Sequence, residues 1–223
     1  MHQRFLVDGL KPAANSITVT GASTERIESD FAKWDIKVET TGNSQIDSYK
    51  KHKVSIEKTM TFLDRYDVNN NDYQSVALLP ASTSKEINKN PKTGEIISKK
   101  WVTTQWIEIE SNDVFNIDQT YRQMSELLGK GVLVRPSRPE FTYTKLAAKR
   151  VDMLAKATKD AHTRAEAIVY QTGSELGSVR KVNTGVFQIT VPNSTRVSSW
   201  GSYDTSTINK DITAVMGVTF EVN

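Results

Sequence analysis

The sequence predicts an α+β protein in which an antiparallel-rich sheet is covered by three main helices. Residues 31–41 alternate with period two, the pattern of a strand with one buried face. Apolar side chains recur at helical spacing in three segments, 44–66, 112–131 and 146–172. The order from 31 to 145 is strand, helix, strand, strand, helix, strand. This order predicts a ferredoxin-like β-α-β-β-α-β portion, to which an α-β-β portion is added.

The first elements are a short strand at 16–20, the strand just described and a helix. Ser44 stands three residues before Asp47, a spacing that resembles a capping box and predicts the start of the helix. We expect a turn at 69–72 and another strand at 73–79. The apolar stripe of the helix is predicted to consist of Ile46, Tyr49, Ile56, Met60 and Leu63.

The middle of the chain combines a polar stretch with a long strand. Residues 80–95 contain two prolines and one glycine, and we interpret them as an exposed loop between two strands. The long strand at 96–110 places Trp101 and Trp106 on opposite faces. We expect one of these tryptophans to lie in the core and the other to be covered by a helix or a neighbouring subunit.

The second and third helices have recognisable ends. Asn112 or Asp113 caps the second helix. Gly129 and Gly131 end it, and Gly173 ends the third helix, because glycine adopts the left-handed C-cap conformation without strain. One face of the third helix is predicted to consist of Ala147, Val151, Leu154, Thr158, Ala161, Ala165 and Ile168.

Two strands, at 178–190 and 211–222, complete the chain, and the polar loop 191–209 between them carries Trp200 and Tyr203. Aromatic side chains in a polar loop either fold back onto the core or contact a partner. The sequence leaves both alternatives open for these two residues.

Three aromatic residues are therefore candidate partner contacts: Trp200, Tyr203 and Trp106. Strand edges are a second kind of candidate surface, because an uncovered edge presents unpaired backbone groups. The strands at 73–79 and 211–222 are the predicted edges.

Composition limits the function classes. At 223 residues the chain can form one sizeable core, and we predict a single domain over 16–223, with two lobes at about 16–145 and 146–223 as the alternative. The net charge is only +3, with 29 basic residues among 26 acidic ones, so we expect no nucleic-acid partner. The absence of cysteine excludes disulfides, thiolate metal sites and thiol nucleophiles.

The N-terminal segment, residues 1–15, lacks the apolar core of a signal peptide. No apolar stretch in the sequence approaches the roughly 18–20 residues of a membrane helix. We therefore expect that the chain either is cytosolic or starts after a removed leader or anchor.

The titratable residues form no recognisable catalytic pattern. His2 lies near the start of the chain, and we interpret His52 and His162 as partly solvated helix residues, because no metal-binding pair of histidines occurs. Glu108 and Glu110 alternate on one strand, which is more typical of a solvated face than of acid–base catalysis. We predict no catalytic, cofactor-binding or metal-ligating residues and no cofactor.

Four motifs in the same order resemble the SIMPL-domain family, formerly a domain of unknown function. Residues 16–23 (SITVTGAS) resemble its strand-and-glycine signature, and residues 101–110 (WVTTQWIEIE) resemble its aromatic-led strand, with Thr103 in place of alanine. Residues 125–132 (SELLGKGV) and 155–179, an Ala-rich helix followed by GSELG, resemble its later motifs. The resemblance covers about residues 16–222.

One motif departs from the family pattern, which often has Pro-Asp before the second strand where this chain has Ser29-Asp30. Bacterial members are mostly exported to the periplasm or held at the envelope by one N-terminal hydrophobic segment. Some are linked to oligomeric assembly and stress tolerance, and no catalytic residues are established. The resemblance therefore implies a periplasm-facing, membrane-anchored or exported protein.

We expect a non-enzymatic envelope protein that acts by self-association or by binding another envelope protein, with a role in stress tolerance. One alternative is a binding module for a small ligand or cell-wall polymer that uses Trp200 and Tyr203. The other alternative is an enzyme with an unfamiliar site, for which Glu108, Glu110 and Glu140 are the carboxylates to examine.

Overall fold

The structure is a computed structural model that describes residues 15–68, 74–196 and 198–223. In chain order its elements are β1 (Ser16–Glu28), β2 (Phe31–Gly42), α1 (Gln45–Arg65), β3 (Gln74–Leu78), β4 (Ser82–Lys89), β5 (Ile96–Ser111), α2 (Val114–Gln123), α3 (Ser125–Gly129), β6 (Leu133–Pro136), β7 (Glu140–Thr142), α4 (Leu146–Gln171), β8 (Leu176–Thr184), β9 (Gln188–Thr190), β10 (Ser202–Tyr203) and β11 (Asn209–Val222). The predicted segment 1–15, apart from Asn15, and the predicted turn 69–72 lie outside the described residues.

Two compact units make up this α+β chain. The ferredoxin-like unit consists of residues 28–144 and 204–210. The terminal unit consists of residues 15–27, 145–203 and 211–223. The first strand therefore belongs with the last third of the sequence. The predicted α+β class is confirmed, because helices cover antiparallel-rich sheets.

The sheet of the ferredoxin-like unit has the strand order β3-β5-β2-β6. All its pairings are antiparallel, and β4 and β7 extend it by pairing with β5 and β2. With α1 after β2 and α2 after β5, this arrangement confirms the predicted ferredoxin-like order. The expected second helix is divided at Met124 into α2 and α3.

Alternation along β2 and β5 places every second side chain under the helices. Trp34 and Ile36 from β2 lie opposite Ile109 and Ile107 from β5, and all four are fully buried. The core between the sheet and the helices also includes Val38, Ile56, Phe62, Leu63, Ile117, Leu127, Val134 and Phe141.

The buried face of α1 differs from the predicted apolar stripe. Ile46 and Tyr49 are exposed, and Ser48, His52 and Ser55 are buried in the first half of the helix. The reason is a polar patch on the sheet beneath them, because a buried polar side chain is retained where it finds a hydrogen-bond partner. Ser48 Oγ, for example, lies 2.7 Å from the Thr103 hydroxyl.

Both predicted N-caps are confirmed. The Ser44 hydroxyl accepts a hydrogen bond from the Asp47 amide at 3.1 Å, and the Asp113 carboxylate accepts one from the Asn116 amide at 3.0 Å. Gly173, which follows α4, has a φ of +73° and so supplies the left-handed residue that ends the helix.

The loop predicted at 80–95 is wrong, because residues 82–89 form β4. This strand pairs with β5 from Thr104 to Ile96 and so makes a hairpin. Of the residues that suggested a loop, Pro80 precedes β4, and Pro91 and Gly94 lie in the hairpin turn, where the Asn90 backbone amide donates to the Glu95 carbonyl at 2.8 Å. Strand formation here depends on the partner strand rather than on local propensity.

In the sheet of the terminal unit, β11 is central and not at an edge. It pairs with β1 on one side and with β8 and β9 on the other, and β10 adds to β9 in parallel. The predicted edge at 211–222 is therefore wrong. The other predicted edge is confirmed within the described residues, where β3 occupies the end of its sheet.

Helix α4 packs with a face rotated from the predicted one. Val151 and Ile168 are exposed, whereas Met153, Ala157, Ala161, Ala165 and Val169 are buried, a strict four-residue repeat. The small side chains permit close approach to β1 at Gly21. A Cβ atom at Gly21 would lie 2.1 Å from the Ala157 carbonyl oxygen.

Candidate functional site

The candidate site with the clearest geometry is the loop between β9 and β11. We call residues 191–203 the Trp200 loop; Val197 lies outside the described part. Trp200 is 93% exposed, so the alternative in which it folds back onto the core is wrong. Tyr203, in β10, is half-exposed.

The Trp200 loop is held by one buried glutamine. The Gln188 side-chain amide donates to the Ser198 carbonyl at 2.6 Å. Its carbonyl oxygen accepts from the Ser202 hydroxyl at 2.9 Å and from the Ser198 amide at 3.3 Å. Gly201, with a φ of +85°, allows the chain to turn directly after Trp200.

An ion pair holds the start of the same loop. The Asn193 amide donates to Asp211 Oδ2 at 2.7 Å, and Arg26 Nε donates to Asp211 Oδ1 at 2.5 Å. These hydrogen bonds, Arg26 first, lower the pKa of Asp211. Arg26 also donates to the side-chain carbonyl of Asn193 at 3.2 Å. The loop is thus bound to the sheet at both of its ends.

Trp106, the third candidate contact, lies in the ferredoxin-like unit. It is partly exposed on the face of β5 that points away from the core, opposite Lys37. Trp101 is only half-buried, so the expectation that one of these two residues lies in the core is wrong. The fully buried tryptophan is Trp34.

His52 was expected to be partly solvated, but it is buried between α1 and the sheet. Gln105 donates its amide nitrogen to the Leu79 carbonyl at 2.6 Å, so its Oε1 faces His52 Nε2 at 3.0 Å. His52 Nε2 therefore carries the proton, and the acceptor Nδ1 lies 3.2 Å from the Thr40 hydroxyl, which also donates to the Ser48 carbonyl at 3.3 Å. Burial lowers the pKa of His52, although the Gln105 hydrogen bond opposes that shift.

The lowered pKa of His52 predicts a loss of stability in mild acid. The unfolded chain takes up a proton near pH 6.5 before the folded chain does, so the free energy of unfolding falls as the pH drops from 7 towards 5. The slope due to this group is at most about 1.4 kcal/mol per pH unit. Urea titrations at several pH values between 7 and 5 measure this slope in the wild type, His52→Gln and His162→Gln. Only His52→Gln should flatten the slope, and equal slopes in all three proteins would contradict the assignment.

A buried ion pair at 204–210 was missed from the sequence. Lys210 is fully buried, and its Nζ lies 3.1 Å from Asp204 Oδ2 and donates to the Thr207 carbonyl. Burial alone would raise the pKa of Asp204, but hydrogen bonds from Ser206, Thr207 and Lys210 lower it to about 2. For Lys210, burial lowers the pKa, because it disfavours the charged amine, and the hydrogen bond with Asp204 opposes this shift. Lys210 lies two residues before Ile212 and four before Ala214, on the same buried face of β11. This period-two spacing is the sequence signal that could have indicated its burial.

The carboxylates considered for an enzyme lie along the open face of the sheet. Glu108 is opposite Asp35, and both Glu110 and Glu140 are opposite Lys33. Within the described ranges no group of three or more His, Asp or Glu side chains could hold a metal ion. In the same ranges no helix has the length and apolarity required to cross a bilayer.

Comparison with known proteins identifies the family. A family model described as "SIMPL: Protein of unknown function (DUF541)" matches residues 17–220. The chain belongs to the SIMPL family. The family resemblance inferred from the sequence is therefore confirmed, over nearly the whole chain. A search of curated proteins gives no match for this SIMPL chain.

Among solved structures, the SIMPL chain is similar to one provisionally described as an aminohydrolase from methicillin resistant Staphylococcus aureus. The identity is 11%, and the alignment covers 58% of this chain and 32% of the other. The chain thus spans about a third of that structure's length. The TM-score is 0.27, so this likeness supports no conclusion about the fold or activity of the SIMPL chain.

Proposed function

We propose that this SIMPL protein is a non-enzymatic association protein whose Trp200 loop contacts another protein chain, in the first instance a second copy of itself. The observation that carries the proposal is the 93% exposure of Trp200 on a loop held at both ends. Tryptophan is the residue type most enriched among interface positions whose truncation weakens binding strongly. On a loop held at both ends, this side chain is available for burial by a partner chain.

The edge of the terminal sheet supports the same proposal. Among the described residues, β8 pairs with β11 on one side only, and most of its side chains are exposed. Val179 and Val182 are among those exposed side chains. A strand edge with unpaired backbone groups can add a strand from another chain.

The proposal includes the location implied by the family resemblance, at the outer face of the cytoplasmic membrane or in the periplasm, and a role in stress tolerance. A non-catalytic role is supported by the surroundings of two candidate carboxylates, because Glu110 and Glu140 each lie opposite Lys33, as is usual for charged pairs on the face of a sheet. Expression of the full-length protein followed by cell fractionation tests the location, and recovery in the cytosol would contradict it.

The association proposal predicts the effect of removing one side chain. Trp200→Ala should raise the dissociation constant of the self-associated protein by at least about 30-fold. This is the increase expected when an interface residue that contributes about 2 kcal/mol or more is removed. Light scattering and sedimentation velocity over a range of protein concentrations measure this change.

Tyr170→Ala is the matched control, because Tyr170 is an 81% exposed aromatic residue on α4 with no role in the proposed contact. It should leave the dissociation constant unchanged. A wild-type protein that remains monomeric at every concentration would contradict self-association. Equal effects of the two substitutions would contradict a specific contact through Trp200.

A further inference from the structure

The hairpin formed by β4 and the first part of β5 is a second feature that the proposed association does not use. From Lys85 to Lys100 almost all of its side chains are exposed, on both faces of a two-stranded ribbon. Ile87 and Ile96 are half-exposed, and Ile97 is 63% exposed. A two-stranded ribbon is marginally stable alone, so exposed isoleucines here are unusual unless something covers them.

The two faces of this hairpin differ in character. On one face, three cross-strand pairs each join a lysine to a large apolar residue: Lys85 to Trp101, Ile87 to Lys99, and Lys89 to Ile96. We call these six residues the Lys–apolar face. Lys85 Nζ lies 5.8 Å from the centre of the Trp101 ring. The irregularity beside Lys89 adds Ile97 as an extra apolar residue.

The opposite face is polar and electrically balanced. Its pairs are Ser82 with Thr104, Ser84 with Val102, Glu86 with Lys100, and Asn88 with Ser98. Glu86 and Lys100 neutralise each other through an ion pair at 3.1 Å. The two faces of the hairpin therefore differ, with lysine side chains and apolar surface together on one face and a neutral polar surface on the other.

Charge is concentrated in this hairpin. Residues 82–101 contain five lysines and two glutamates, a net charge of +3, which equals the net charge of the whole chain. The remaining residues therefore sum to zero. Two hairpins of this composition repel each other, so a symmetric contact between hairpins of two copies is disfavoured, and charge complementarity favours an anionic partner.

We propose that the Lys–apolar face binds the surface of an anionic lipid bilayer. Lysine side chains next to a membrane gain attraction from acidic headgroups, and apolar side chains at the same level enter the boundary between headgroups and acyl chains. The pairwise alternation fits this environment, since each ammonium group can reach a phosphate while its apolar partner is buried. A nucleic acid would use the lysines but not the isoleucines.

Vesicle co-sedimentation tests the proposal with the full chain. The probes are phosphatidylcholine vesicles with and without 25% phosphatidylglycerol, at low and high salt. We expect binding to the anionic vesicles only, weakened by salt. Lys85→Gln/Lys89→Gln/Lys99→Gln should weaken it by about 100-fold, as expected from the loss of three surface lysines. Ile87→Thr/Ile96→Thr/Ile97→Thr should weaken it at least 10-fold with the charge unchanged.

The control variant Lys145→Gln/Lys159→Gln/Lys181→Gln makes the same change in net charge at exposed lysines outside the hairpin. This variant should bind anionic vesicles with an affinity within a factor of about three of the wild type, the change expected from net charge alone. Circular dichroism establishes that each variant is folded. Equal weakening by the control and the hairpin lysine variant would overturn the proposal. A wild-type protein that does not bind anionic vesicles would also overturn it. The same holds if the isoleucine variant binds both these vesicles and an oligonucleotide as tightly as the wild type does.

Discussion

Replacing Asp204 with Ala should destabilise the folded chain by about 3–5 kcal/mol, the cost of leaving a buried charge without its partner. Lys210 is fully buried, and among the described residues the acceptor left to it without Asp204 is the Thr207 carbonyl. Asp204 also accepts hydrogen bonds from the hydroxyls of Ser206 and Thr207, and these are lost as well. Urea denaturation at pH 7, where Asp204 is ionised, measures the loss.

The companion variants make this prediction specific. Lys210→Met should cost less than Asp204→Ala, because Asp204 keeps its hydroxyl and amide donors. The double variant should be more stable than Asp204→Ala alone, since the buried charge is then absent.

An exposed ion pair provides the control. Asp118→Ala, which breaks the pair between Asp118 and Arg122 on α2, should cost less than about 1 kcal/mol. An Asp204→Ala variant within 1 kcal/mol of the wild type would show that the burial of Lys210 is relieved in solution.

Gly21→Ala should also destabilise the protein strongly, by about 3 kcal/mol, the upper end of the usual cost of overpacking. The added Cβ would lie 2.1 Å from the Ala157 carbonyl oxygen and 2.4 Å from the Ala161 amide nitrogen. Both atoms belong to the backbone of α4, so rotation of a side chain cannot relieve the clash. Thermal and urea denaturation both measure this effect.

Gly129→Ala is the matched control, because a Cβ added at that position in α3 would meet no described residue within 4 Å apart from its own helix and chain neighbours. Alanine is the better helix former, so this substitution should be neutral or stabilising by up to about 1 kcal/mol. Equal stabilities of the two variants would contradict the close approach of β1 and α4.

The ferredoxin-like order could be predicted because its signals are local. Alternation in β2 and the caps at Ser44 and Asp113 depend on residues close in sequence. β4 was missed because its polar residues become a strand only through pairing with β5. The position of β11 at the centre of its sheet depends on its pairing with β1, nearly 200 residues away, and no local pattern specifies that contact.

The candidate site shows the same division between local and distant determinants. The unusual composition of the loop singled out Trp200 and Tyr203, yet composition could not decide whether they were covered. The loop that carries them is held by Gln188 and Asp211, which lie on strands outside the loop. The buried positions of His52 and Lys210 were missed because polar residues are usually expected at the surface.

The hydrogen bonds of Gln188 have a consequence for the rate at which a partner would be recognised. A free loop must lose conformational entropy when it binds, and that loss lowers both affinity and the fraction of productive collisions. Here folding of the domain has already fixed the segment around Trp200. Encounters would therefore be limited by diffusion and orientation, and the lifetime of the complex would be set by how well the partner's pocket fits the indole ring.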